Sequence, residues 1–85
     1  MEISKILVLS TGHITEEDSH YLTREGFGAS YEYGYFLPIS RYLRREVKER
    51  RSLASLVDYC FNKDISYLRL DNAGPVESEF ELFDW

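Results

Sequence analysis

The sequence predicts an α+β fold: a small sheet of three to four strands with two helices on one face. The order is β-α-β-α-β, with room for a fourth, C-terminal strand. Three observations predict it. Ile6-Leu7-Val8-Leu9 is a short apolar run of β-formers that ends in turn residues and leads straight into a capped helix start. Tyr31–Leu37 and Ile65–Leu70 alternate with a period of two. Between them, apolar residues from Ile39 to Cys60 recur at helical spacing. The 85 residues make one domain, 1–85, near the low end of what an unstapled core sustains. A lone three-stranded sheet cannot hide its apolar face, so helices must lie on it.

The first strand reads as covered on both faces, or nearly so, and the rest of the chain packs against it. Ser10-Thr11-Gly12-His13 breaks it with turn chemistry. Thr15 with Asp18 forms an S/T-x-x-D start for a helix from Thr15 to Arg24, and Glu16 and Glu17 suit its positive end. Only Ile14, Tyr21 and Leu22 are apolar there, beside His20, so this helix should be mostly solvated, over one edge of the sheet. Gly26 suits its left-handed cap. Tyr31–Leu37 is the second strand, stopped by Pro38, with Tyr31, Tyr33 and Tyr35 on one face and Glu32, Gly34 and Phe36 on the other.

Ser40–Asn62 is helical. Ile39, Leu43, Val47, Leu53, Leu56, Val57 and Cys60 form its apolar stripe, interrupted at Arg50, so a break is expected near Lys48–Ser52 with the second piece better packed. Ile65–Leu70 is the third strand, with Leu68 and Leu70 sharing a side with Ser66, opposite Ile65, Tyr67 and Arg69. Asp71–Pro75 is a turn. The expected core holds Leu7, Leu9, Leu53, Leu56, Val57 and Leu68. The remaining tail, Val76–Trp85, carries Glu77, Glu79, Glu81 and Asp84 and no basic residue. Its Val76, Phe80, Leu82, Phe83 and Trp85 offer more apolar area than a free tail carries. It should therefore dock, with Glu79–Phe83 a short strand or extended arm, Trp85 packed, and the carboxylates outward as a negative ridge.

Composition narrows the chemistry. The net charge is −5, and 15% of residues are aromatic, including seven Tyr, which suits both a small core and a tyrosine-rich contact surface. The single cysteine, Cys60, excludes an internal disulfide and a Cys-based zinc site, and its helical, apolar setting reads as a buried inert thiol. No charged-then-apolar leader opens the chain and no run is long enough to cross a bilayer, so a cytoplasmic protein without membrane contact is expected. His13 and His20, seven apart, do not form a helical metal pair, so no metal and no cofactor are assigned. The Ser10–His13 turn has one glycine, far short of a phosphate loop, and reads as a plain connection. His13 and Asp71 at neighbouring strand ends could form a small active site, but no nucleophile or paired carboxylates accompany them, so no catalytic residue is assigned.

Strand Ile6–Ser10 with Thr11-Gly12-His13-Ile14-Thr15-Glu16, then Glu32-Tyr33-Gly34-Tyr35-Phe36, then Tyr67-Leu68-Arg69-Leu70-Asp71, then Gly74-Pro75-Val76 and the closing Phe83-Asp84-Trp85 resemble a family of small uncharacterised proteins of bacteria, phages and other mobile elements. That family shows an S-T-A-H-I-T-like start, an E-Y-G-W/Y segment and a D-x-x-P-V…Y-D-W end. This chain departs from it with Gly12 in place of Ala and with the arginine-rich stretch Arg41–Arg51. The resemblance implies a mobile-element setting and no catalytic residues.

Together these readings predict a non-catalytic phage or mobile-element protein that binds and inhibits a host protein complex, such as a CRISPR or restriction system. Acidic surfaces can occupy nucleic-acid channels by imitating phosphate charge. The partner surface is first Glu77, Glu79, Glu81 and Asp84, then Tyr31, Tyr33 and Tyr35, and the tyrosine face could also pair two copies as a homodimer. The alternative is a nucleic-acid-binding or regulatory module using Arg41, Arg44, Arg45, Lys48 and Arg51, against which the negative charge argues; a further alternative is a small enzyme around His13.

Overall fold

The computed structural model describes residues 3–85. Strand β1 (Ile6–Ser10) runs into a single 3-10 turn, Thr11–His13, and then helix α1 (Glu16–Glu25). A hairpin follows, β2 (Ala29–Tyr31) and β3 (Gly34–Pro38), then helices α2 (Arg41–Glu46) and α3 (Arg51–Asn62), and strand β4 (Tyr67–Asp71). The sheet order is β1-β4-β3-β2, with β1 parallel to β4 and the other neighbours antiparallel. The fold is α+β as expected, with four strands. The fourth strand comes from the hairpin, because the tail forms no strand.

Local signals set most boundaries. The Thr15 hydroxyl accepts from the Asp18 N–H at 3.1 Å, and Gly26 closes α1 in the left-handed region at φ 68°. The expected break falls at 47–50, splitting the long helical stretch into α2 and α3, so three helices cover the sheet rather than two. The second piece is the better packed, with Leu53, Leu56, Val57 and Cys60 all buried. In β4, Leu68 and Leu70 are fully buried whereas Arg69 is exposed, the alternation that the sequence spelled out.

The second strand is the main correction. Tyr31 pairs with Gly34 across a two-residue turn, Glu32-Tyr33, so the expected run Tyr31–Leu37 is a hairpin. A Cβ at Gly34 would run into the Leu70 carbonyl of β4, so glycine there lets three strands come together at the hairpin's end. The three tyrosines therefore do not share a face.

Leu9, Leu37, Leu68 and Leu70 are fully buried under the helices. The opposite face is open. Ile6 is 52% exposed and Val8 36%, and Phe36 and Tyr67 stack with centroids 5.1 Å apart. So β1 is an edge strand covered on one face, not two, and Leu7 is only partly buried at that edge. Helix α1 is more deeply packed than its composition suggested: Ile14 ahead of it, then Asp18, Ser19, Tyr21 and Leu22 are all buried. No helix among the described residues is long and apolar enough to cross a membrane.

Candidate functional site

The acidic tail is bound to the domain, and the place it is bound to is the turn after β1. Five bonds hold it. The Ser10 N–H donates to the Pro75 carbonyl at 2.8 Å and the Phe83 N–H to the Gly12 carbonyl at 2.7 Å. The Trp85 indole N–H donates to the Ile14 carbonyl at 2.9 Å. Between these lies His13, only 1% exposed. Its Nδ1 lies 2.8 Å from the Glu81 carbonyl, which can only accept, and its Nε2 accepts from the Glu77 N–H at 3.0 Å. These two partners fix the neutral ring with the proton on Nδ1. The tail makes a turn from Glu77 to Phe80 (Phe80 N–H to Glu77 carbonyl, 3.2 Å) and sets the Phe80 ring edge-on to both His13 and Tyr59 of α3.

Glu77, Glu79, Glu81 and Asp84 are all exposed along this arm, so the predicted ridge of carboxylates lies on a segment that is held in place. The arm is irregular rather than a strand, and Trp85 is folded over the domain with half its surface in solvent. A cleft of about 590 Å³ runs between the arm and α3, lined by His13, Thr15, Arg51, Ser52, Glu79 and Glu81, among others.

The floor of that cleft is a network that the sequence did not announce. Asp18, 5% exposed, accepts from the Ser52 hydroxyl at 2.5 Å and the Leu53 N–H at 3.3 Å, while Ser52 Oγ accepts from the Thr15 N–H at 3.2 Å. Arg50, at the cap position of α3, has no side-chain cap bond, so Asp18 of α1 supplies the acceptor that the helix start lacks. A carboxylate is favoured there by the helix dipole. Arg50 instead lies over the Tyr21 ring at 4.2 Å and reaches Glu17 at 3.2 Å.

The remaining candidate residues fall into separate places. Tyr35 sits on the covered side with its hydroxyl 2.8 Å from the Ser19 and Thr23 hydroxyls. Tyr31 is on the open face, donating to Asp71 at 3.0 Å and accepting from the Arg69 guanidinium at 3.0 Å. Tyr33, in the turn, is 53% exposed. Arg41, Arg44, Arg45 and Lys48 do converge, in a cleft of about 610 Å³ between α2 and α3, but Arg44 is paired with Asp58 at 2.8 Å and lies over Phe61. Arg51 is not with them; it lines the tail cleft.

His13 and Asp71 do not meet. Both nitrogens of His13 are taken by the tail backbone, and Asp71 bonds Tyr31, Arg69 and the Ala73 N–H. The Ala73 N–H, with help from Tyr31 and Arg69, holds the Asp71 carboxyl below its ordinary value. The Ser10–His13 turn is a plain connection, with Ser10 Oγ accepting from the Gly12 N–H. Cys60 is fully buried, which pushes its thiol up to about 11. No cluster of metal-ligating side chains occurs among the described residues.

Residues 6–85 match the model of a family of unknown function, the DUF5983 C-terminal domain. No curated protein and no solved structure matches the chain.

Proposed function

The chain belongs to the DUF5983 C-terminal domain family, a family of unknown function, and on that premise we propose a non-catalytic protein-binding module whose docked acidic arm meets a basic surface on its partner. One observation carries this reading. Four exposed carboxylates sit on a ten-residue arm with no compensating base, and backbone bonds and Phe80 hold that arm against the domain. A free acidic tail would lose conformational entropy on binding; a clamped one has already lost it. Charges in such a ridge steer encounter with a basic partner and select against acidic ones.

In the mobile-element setting that the sequence resemblance implies, the partner that fits is a host complex with a basic nucleic-acid channel, of CRISPR or restriction type, which the ridge would occupy and block. The test is capture of host proteins on the immobilised chain, beside a variant with Glu77, Glu79 and Glu81 changed to Gln. A stoichiometric complex kept by the wild type, lost by the variant and weakened by salt supports the ridge. Equal retention by both chains would refute it.

A second reading rests on the basic cleft between α2 and α3, where Arg41, Arg45 and Lys48 have no ion-pair partner within 4.0 Å among the described residues. It predicts a duplex complex in a gel-shift titration, lost with Arg41→Glu and Arg45→Glu. The overall charge of −5 opposes it.

A further inference from the structure

We propose that His13 is a proton-operated clasp: adding a proton to its Nε2 releases the acidic arm. The inference deepens the binding reading above, because the arm that the clasp holds is the surface proposed to meet the partner. The argument rests on donor count. Nε2 is the acceptor for the Glu77 N–H and Nδ1 donates to the Glu81 carbonyl, so the docked arm requires the neutral imidazole. An imidazolium has two N–H groups and no acceptor. Its Nε2–H would face the Glu77 N–H, two donors 3.0 Å apart, on a ring with 1% of its surface exposed.

The ring cannot turn to escape, because a flip about Cβ–Cγ puts Cδ2 and Cε1 where the two nitrogens stood and leaves both the Glu81 carbonyl and the Glu77 N–H without a partner. It is also packed edge-on against Phe80. The contact that yields is the arm. Beyond Pro75, every hydrogen bond between arm and domain among the described residues lands on Gly12, His13 or Ile14, so the clasp and the other anchors stand on one three-residue stretch. Losing the central pair leaves Phe83 and Trp85 on single bonds.

The charged groups around the ring come from three elements. Glu79 and Glu81 of the arm and Arg51 of α3 line the cleft that His13 borders, Glu77 adjoins through its own N–H, and Tyr59 of α3 is reached through Phe80. At the start of α1, the cap residue Thr15 borders the cleft, and the Asp18 carboxylate lies beneath it, held by the Ser52 hydroxyl and the Leu53 N–H. The carboxylates attract the proton and Arg51 opposes it; in the docked arm the acceptor for the Glu77 N–H is His13 Nε2 and none of them. The sign follows: the docked arm binds one proton fewer than the released arm. Docking is therefore complete above the ordinary imidazole range and weakens below it, by up to about tenfold in the docked-to-released ratio per pH unit.

Trp85 is the only tryptophan and sits at the end of the arm, so the full chain reports on itself. We expect Trp85 emission to move to longer wavelength through a one-proton step as pH falls from about 8 to about 5, while far-UV circular dichroism stays constant. His13→Gln keeps a donor and an acceptor on one side chain and does not titrate, so its emission should stay flat over the same range. A flat wild-type trace, or the same step in His13→Gln, would overturn the clasp. Should His13→Gln fail to fold, the imidazole nitrogens of the wild type decide by 15N NMR. A pyridine-type Nε2 that gains its proton in step with Trp85 supports the clasp, and a ring already protonated at Nε2 at pH 8 overturns it. No partner is present in these measurements. A failed clasp therefore leaves the binding reading standing, and a failed capture experiment leaves the clasp standing.

Discussion

Asp18→Ala is expected to be among the most damaging polar substitutions in this chain. The side chain is small and one turn into α1, yet its carboxylate serves α3, accepting from the Ser52 hydroxyl and the Leu53 N–H. Alanine removes both acceptors at once in a place with 5% exposure. Loss of a helix cap costs about 1 kcal/mol, and leaving a buried donor unpaired adds about 1–3 kcal/mol. The sum is about 2–4 kcal/mol, or a fall of at least ~8 °C in melting temperature for a domain of this size. Asp18→Asn keeps one acceptor oxygen and should lose roughly half as much. A double-mutant cycle with Ser52→Ala, read by urea unfolding, should give a coupling of about 1 kcal/mol or more, since the two groups share one bond. If Asp18→Ala unfolds within about 0.5 kcal/mol of the wild type, the start of α3 is satisfied some other way and the cross-helix cap is wrong.

Other expectations rest on single contacts. Leu56, 1% exposed at the centre of α3, should cost about 2–5 kcal/mol as Leu56→Ala in the same urea titration; an unchanged midpoint would mean that α3 presents another face. Gly12→Ala places a Cβ 2.9 Å from Leu82 Cδ1, the tip of a side chain that is 57% exposed and free to swing. Its unfolding free energy should therefore stay within about 1 kcal/mol of wild type on either side, and a large loss would show the arm to be locked at Leu82. The Cys60 thiol, raised by burial, stays protonated in the fold at pH 8. It should react with a thiol reagent only as the chain opens, and at once in denaturant. Because only the unfolded chain then ionises it, stability should fall as pH climbs past the ordinary thiol value of about 8.5; immediate labelling of the native chain would contradict its burial.

What the sequence determined by itself is everything fixed by neighbours along the chain. Thr15 and Gly26 bound α1 because a hydroxyl three residues from an N–H, and a residue without a Cβ, act locally. Arg50 breaks the apolar stripe, and the helix breaks there. The alternation of Leu68 and Leu70 with Arg69 gives β4 its inner and outer sides. The docking of the tail was legible too, since its apolar area exceeds what a free arm carries.

What only the tertiary structure decided depends on residues far apart in sequence. The tyrosine alternation runs unbroken from Tyr31 to Tyr35, and Glu32-Tyr33 carries no turn signature. The hairpin is seen only when β4 lies beside β3 and its Leu70 carbonyl fills the space a side chain would need at Gly34. The apolar run of β1 suited a strand covered twice, but three helices suffice for one face, and the edge position leaves Ile6 and Val8 outside. Asp18 read as part of its own helix start and proved to cap another helix 34 residues away. His13 read as a turn residue; its partners lie 64 and 68 residues further on, at Glu77 and Glu81. A backbone N–H and a carbonyl recognise the imidazole, and every residue has those, so no pattern of side chains along the sequence could have marked where the ring would be held.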